Sequence, residues 1–329
     1  MRRIGIVGAG AWGTALSWVA RRAGSDVVLW AHQAETAETI NRRHANPDYL
    51  PGIDVEAAVR ATSDLAEAAD GDAVLLVVPA QVLREIGAAL APALRPDTPV
   101  VICSKGIEQN TGALMSEVAG DVLPGRPVAV LSGPTFAIEV ATGLPTAVTL
   151  ACADDATAAA LSDGLGGPHF RPYRSDDVIG TEIGGAIKNV MAIACGITDG
   201  RGLGENARAA LITRGLAEMT RLCLAKGGRA ETMMGLGGIG DLVLTCASAK
   251  SRNYALGQAL GRGEKLDALM SGRLTVAEGV FSAPAATALA GRLGIEMPIA
   301  AAVDAILNRG ADIDEVIEGL LARPFRAER

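Results

Sequence analysis

The chain has 329 residues and a formal charge of −7, with 37 acidic against 30 basic side chains. This balance excludes the broad basic field that nucleic acid or an anionic membrane surface requires, so an anionic ligand must be held by a few local groups. The length suffices for two domains, each with a full core.

Arg2 and Arg3 ahead of an apolar run give the N-terminus a superficial likeness to a secretion signal. The glycine spacing argues otherwise. IGIVGAGAWGTALSWVARRAG reads as a short β-branched strand, then Gly8, Gly10 and Gly13 in G-x-G-x-x-G spacing, then a helix closed by Gly24. In such a unit the first glycine makes the tight turn, the second lets backbone approach a pyrophosphate, and the third packs helix on strand. Backbone N–H groups at the helix start then meet the phosphates. A second strand, Asp26–Trp30, completes the order. NAD-selective folds place an acidic residue about 20 positions after the glycines, but Ala31, His32 and Gln33 stand there. No carboxylate repels a 2′-phosphate, so NADPH is expected to be accepted, although Glu35 one turn on stays within reach of a ribose.

Helix and strand then alternate in a doubly wound rhythm. Apolar runs at 73–78, 100–103 and 128–131 suit buried parallel strands, with 147–151 a last strand and 170–173 one more. Lys105, in SKG, and the turn Ser132, Gly133, Pro134, Thr135 follow two of these strands. Both therefore fall on the carboxyl edge of the sheet, where open α/β sheets bind ligands. Each has a plain alternative, a solvated loop lysine and ordinary Gly-Pro turn chemistry.

From about residue 180 the pattern is wholly helical, giving an expected division into a Rossmann-type α/β domain, 1–178, and an all-helical domain, 179–329. The segment 182–199, EIGGAIKNVMAIACGITD, carries Ile183, Ile187, Val190, Met191 and Ile197 at helical spacing and only small residues around Lys188. An ammonium in low-dielectric surroundings has its neutral form favoured and exchanges protons near neutral pH. The alternative is a lysine snorkelling from the edge of a core helix. Only five lysines stand against 25 arginines, so a lysine kept on this helix points to lysine chemistry.

A long helix is expected over 206–226, with Asn206 as its cap and Gly227 as its stop. The glycine-rich 235–241, GLGGIGD, lacks the preceding strand of a second nucleotide site and is positioned to bring Asp241 against another segment. Ser251, Arg252 and Asn253 open the next helix. Serine is a strong N-cap, but a cation in the first turn is unfavourable unless offset. A bound phosphate, met by backbone N–H groups, the guanidinium and the Asn253 amide, would offset it. The segments 282–293, 300–308 and 313–321 read as packing helices, with Glu278 the one chemical group near them. Cys103, Cys152, Cys195, Cys223 and Cys246 form no CxxC and no His-paired metal spacing, and His32, His44 and His169 lie far apart in sequence. Reduced, structural, cytoplasmic thiols are the expected reading, ahead of Cys103 as a nucleophile.

These motifs together resemble the bacterial NAD(P)-dependent sn-glycerol-3-phosphate dehydrogenases. The matching stretches are GAGAWGTAL (8–16), VLW with His32, SKGIE (104–108), SGPTFA (132–137), GGAIKNVMAIACGITDG (184–200), GLGGIGDLVLTC (235–246), SRN (251–253), VAEGV (276–280) and EMPI (296–299). The resemblance implies reversible reduction of dihydroxyacetone phosphate to sn-glycerol 3-phosphate with NADP or NAD, for phospholipid synthesis in the cytoplasm. By the same motifs it implies Lys188 as proton donor and acceptor, and Lys105, Gly133, Thr135, Asp241, Ser251, Arg252 and Asn253 as substrate contacts. It implies Ala11, Trp12, His32, Lys105, Ala137, Arg252, Val276 and Glu278, beside the glycine loop, as cofactor contacts. Ala11 stands where the family commonly has serine, and the position of His32 varies between arginine and histidine. Two other readings stay open: a related two-domain reductase of oxo acids, of the β-hydroxyacid dehydrogenase or ketopantoate reductase type, and a non-catalytic NADPH sensor. No nucleic-acid partner or stable membrane insertion is expected, and a homodimer through an apolar helix such as 206–226 is left open.

Overall fold

The computed structural model describes residues 1–271 and 277–325. Eight strands, β1 (Arg3–Val7), β2 (Asp26–Trp30), β3 (Val59–Thr62), β4 (Ala73–Leu76), β5 (Val100–Ile102), β6 (Val128–Ser132), β7 (Thr146–Cys152) and β8 (Phe170–Ser175), form one sheet in the order β3-β2-β1-β4-β5-β6-β7-β8. The first six are parallel, β7 runs antiparallel to β6, and β8 is parallel to β7. The order reverses between β1 and β4, which is where a doubly wound sheet opens its ligand crevice. Strand β3 is absent from the sequence reading. Its four residues, VRAT, alternate with exposed Arg60 and carry too short an apolar signal to stand out.

The central strands are apolar on both faces because both are covered. Ile4, Ile6, Leu75 and Val101 pack in one layer, and Val7, Val74, Leu76, Val100 and Ile102 in the other. Helices α1 (Ala11–Arg22), α2 (Ala34–Arg43), α3 (Leu65–Ala69), α4 (Leu83–Leu90), α5 (Met115–Val122), α6 (Ala137–Ala141) and α7 (Asp155–Leu165) supply the covering.

The second half is built on α8 (Val178–Gly200). Asp177 starts it: Oδ1 accepts from Gly180 N at 2.9 Å and Oδ2 from Arg229 N at 2.9 Å. The helix is predominantly apolar and is buried along most of its length, with Glu182, Lys188 and Asn189 among its buried polar exceptions. Around it lie α9 (Gly204–Ala225), α10 (Ala230–Met233), α11 (Asp241–Cys246), α12 (Arg252–Gly261), α13 (Leu266–Met270), α14 (Gly279–Arg292), α15 (Pro298–Arg309) and α16 (Ile313–Leu321). Helix α9 begins before Asn206, and no side chain caps it, so the expected asparagine cap is not used. Its predicted stop holds: Gly227 has φ +90°. The two halves are tied by Glu182 of α8, which accepts from Ser116 N at 2.7 Å, and by Lys226 with Glu117 at 2.6 Å.

Candidate active site

Lys188 lies at the middle of α8 and is 6% exposed. Its Nζ donates to Asp241 Oδ1 at 2.6 Å and to Thr245 Oγ1 at 2.9 Å. Asp241 opens α11 after a distorted turn, Leu236–Gly240, in which Gly238 leaves helical geometry at φ −101°, ψ −106°. That turn lies directly on α8, since a Cβ at Gly184 would stand 2.1 Å from the Gly237 carbonyl oxygen. The expectation that GLGGIGD brings Asp241 against another segment is met by this packing.

The other carboxylate oxygen, Oδ2, receives Lys105 Nζ at 2.7 Å, and Lys105 also donates to the Gly133 carbonyl at 3.1 Å. Thr135 Oγ1 donates to the same carbonyl at 3.3 Å. Residues from the carboxyl ends of β5 and β6 therefore meet α8 and α11 at one fully buried carboxylate. Burial pushes Lys188 down to about 8, with Asp241 opposing and Lys105 adding to the fall. Burial also works against the Asp241 charge, but the two ammonium groups outweigh it and hold the carboxyl below its usual range. Two cations and one anion leave the cluster positive, which suits a ligand oxygen that gains negative charge. Thr245 is missing from the sequence reading, although its place four residues after Asp241 puts both on one helical face.

At the second rim, Ser251 caps α12 by accepting from Tyr254 N at 3.2 Å. Of the groups expected to meet an anion here, the backbone N–H groups, the Arg252 guanidinium and the Asn253 amide, the last is engaged within the protein. Asn253 Nδ2 donates to Asn189 Oδ1 at 3.0 Å and its Oδ1 accepts from Gly279 N at 2.9 Å, so the amide ties α12 to α8 and α14. Arg252 has no hydrogen-bond partner among the described residues. Burial weighs against its charge and Glu278 supports it. Glu278 is itself pushed up to about 7 by burial, against the Ala80 N–H and Arg252. Val276 lies outside the described residues. Cys103 is buried and its thiol is pushed far up, which removes it as a nucleophile.

The glycine loop between β1 and α1 fits a dinucleotide by its own geometry. Gly8 has φ +121°, and a Cβ at Gly13 would land 1.8 Å from the Gly8 carbonyl oxygen. A Cβ at Gly10 would meet nothing within 4 Å among the described residues, so the loop is open at this glycine. Helix α1 has no side-chain cap and no acidic residue in its first turn, leaving N–H groups for an anion. Ala11 and Trp12 follow, half-buried, and Trp12 Nε1 is buried without a hydrogen-bond partner. His32 stands exposed beyond β2, its ring edge-on to Trp30 with centroids 5.9 Å apart. Glu35 lies exposed in the first turn of α2. Ala137 begins α6, which packs on α1.

Comparison with known proteins gives the family. Residues 3–158 match the model of the NAD-dependent glycerol-3-phosphate dehydrogenase N-terminus, and residues 177–318 match that of its C-terminus. The glycerol-3-phosphate dehydrogenase [NAD(P)+] of Rhodospirillum rubrum is 58% identical over 326 residues, covering 99% of this chain and 93% of that protein. The crystal structure of glycerol-3-phosphate dehydrogenase from Coxiella burnetii superimposes with a TM-score of 0.94 at 40% identity, covering 98% of this chain and 99% of that one. A ketopantoate reductase from Ralstonia eutropha, 19% identical with a TM-score of 0.59 over 96% of this chain and 99% of that one, shares the fold alone. The chain belongs to the NAD-dependent glycerol-3-phosphate dehydrogenase family of oxidoreductases.

Proposed function

We propose that Lys188 gives and takes the proton in the NAD(P)-dependent interconversion of dihydroxyacetone phosphate and sn-glycerol 3-phosphate. The observation that carries this is a buried ammonium, held by Asp241 at 2.6 Å, whose pKa burial brings to about 8. Bound NAD(P)H supplies the hydride that C2 of the ketone accepts. As that carbonyl oxygen becomes an alkoxide, Lys188 passes it a proton and is left neutral, while Lys105 stabilises the charge from the other side of Asp241. In the oxidative direction neutral Lys188 takes the alcohol proton back. The buried setting strengthens both effects relative to water.

In this reading Lys105, Gly133, Thr135, Asp241, Ser251, Arg252 and Asn253 surround the substrate. Arg252 meets the phosphate, Ser251 orients the N–H groups of α12 towards it, and Asn253 fixes the helix from behind. Gly8, Gly10, Ala11, Trp12, Gly13, His32, Lys105, Ala137, Arg252, Val276 and Glu278 hold the dinucleotide. The catalytic cleft falls between a dinucleotide-binding domain, 1–178, and a helical domain, 179–329. Five buried free thiols suit a reducing cytoplasm, and the exposed Leu224 of α9 suits contact with a second copy of the chain.

The test is Lys188→Ala, which should lower kcat by roughly a hundredfold or more. In the unmodified enzyme, ketone reduction should fall as pH rises through about 8, because the acid is then lost, and oxidation of the alcohol should rise through the same pH. A near-normal kcat in the variant would remove Lys188 from the role.

A further inference from the structure

One turn before Lys188, on the same face of α8, stands Gly185. A Cβ placed there would lie 2.9 Å from Ser132 Oγ, 3.3 Å from Lys105 Cγ and 3.6 Å from Lys105 Cδ. The aliphatic stem of Lys105 therefore crosses the bare backbone of α8 at this residue before its Nζ reaches Asp241 at 2.7 Å. Ser132 also borders this point, and its buried Oγ has no hydrogen-bond partner among the described residues. A methyl group would have to push back one wall or the other.

We infer that Gly185 is a positioning residue, whose missing side chain is the passage by which Lys105 crosses to Asp241 and takes its place beside Lys188. This deepens the assignment of Lys188 and Lys105 proposed above and rests on it. The consequence has a definite sign. Lys105 depresses the pKa of Lys188, while Asp241 raises it. Displacing Lys105 removes the first influence and leaves Asp241 wholly to Lys188, so both changes move the titration of Lys188 to higher pH.

The experiment compares the unmodified enzyme with Gly185→Ala, Gly185→Ala/Ser132→Ala and Gly185→Ala in a Lys105→Met background. Two readouts are used: the alkaline limb of ketone reduction, and the titration of the lysine ε-carbons by NMR, which five lysines keep resolvable. Gly185→Ala should move the limb and the Lys188 resonance to higher pH by about one unit, the scale of a displaced neighbouring charge. Removing the Ser132 hydroxyl should return part of that shift, because it clears the 2.9 Å contact without breaking a hydrogen bond and leaves the 3.3 Å contact with Lys105 Cγ. In the Lys105→Met background the glycine change should move nothing further. A folded Gly185→Ala enzyme with an unchanged limb, or a shift that persists without Lys105, overturns the inference. If the single variant does not fold, the double variant with the relieved contact is compared with Ser132→Ala alone, and an alkaline shift smaller than that of Lys105→Met is the expected result; no shift overturns the inference. Absence of any limb near pH 8 in the unmodified enzyme would instead count against the role of Lys188.

Discussion

Two glycine-rich loops serve this molecule in opposite ways. In the first, Gly8 to Gly13, the middle glycine faces empty space, with nothing within 4 Å of where its Cβ would be. In the second, the turn Leu236–Gly240, a Cβ on Gly238 would lie 2.2 Å from the Met233 carbonyl oxygen, and Gly237 is pressed onto α8. Gly10 thus marks a vacancy and Gly238 a close contact, a role Gly13 of the first loop also has, a Cβ there falling 1.8 Å from the Gly8 carbonyl oxygen. The first leaves room for a ligand backbone to approach, and the second spends its missing side chains on aiming Asp241. Glycine content alone says only that side chains are unwelcome; the neighbouring elements decide whether ligand or protein takes the room.

The comparison is sharpened most by removing what the second loop delivers. Asp241→Asn should leave two ammonium groups without their shared anion, costing about 3 kcal/mol of stability. It should also carry the Lys188 titration to lower pH, since Asp241 supports its charge. Thermal melts and the pH profile of reduction check both, and an unchanged profile would mean that the carboxylate does not govern Lys188. Next in size is Gly238→Ala, which drives a methyl against backbone and should cost about 2 kcal/mol, read as a lowered denaturant midpoint. Smallest in stability is Gly10→Ala. The residue is extended, with φ −71°, so the melt should shift by less than about 0.5 kcal/mol. Its Kd for NAD(P)H, measured by fluorescence titration, should nonetheless rise roughly tenfold, the worth of one good hydrogen bond lost. A destabilised Gly10→Ala protein, or one with unaltered affinity, would erase the distinction between the loops.

Much of this was legible before the fold was known. Strands β1, β2 and β4 to β7 announce themselves as apolar runs between turn residues, β8 by its two aromatics, Phe170 and Tyr173, and α8 by its spacing and its one lysine. What escaped depends on partners distant in sequence. The tie of Asn253 to Asn189 and Gly279, which joins α12 to α8 and α14, has no local signal. Glu218, mid-helix in α9, accepts from Ile299 N at 2.7 Å and Ala300 N at 3.2 Å, capping α15 from another element. No local pattern encodes that. Glu182 and Ser116 meet across 66 residues in the same way. The helix boundary at Asn206 is displaced by two residues: α9 opens at Gly204 in an exposed turn with no side-chain cap, so Asn206 lies inside the helix.

Helix α8 has a further consequence, for the time before the chain is folded. Its 23 residues have a mean hydropathy of 1.3 in their most apolar window, enough by length and composition to cross a bilayer. Folded, it is a core helix with 89% of that window buried; before its partners arrive the same apolar surface is bare. Lys188 sits at its midpoint, where an ammonium costs about 3 kcal/mol in hydrocarbon. The charge proposed to carry the proton chemistry therefore also weighs against lipid for this segment, and a variant that neutralises it should be examined for mislocalisation as well as for lost turnover.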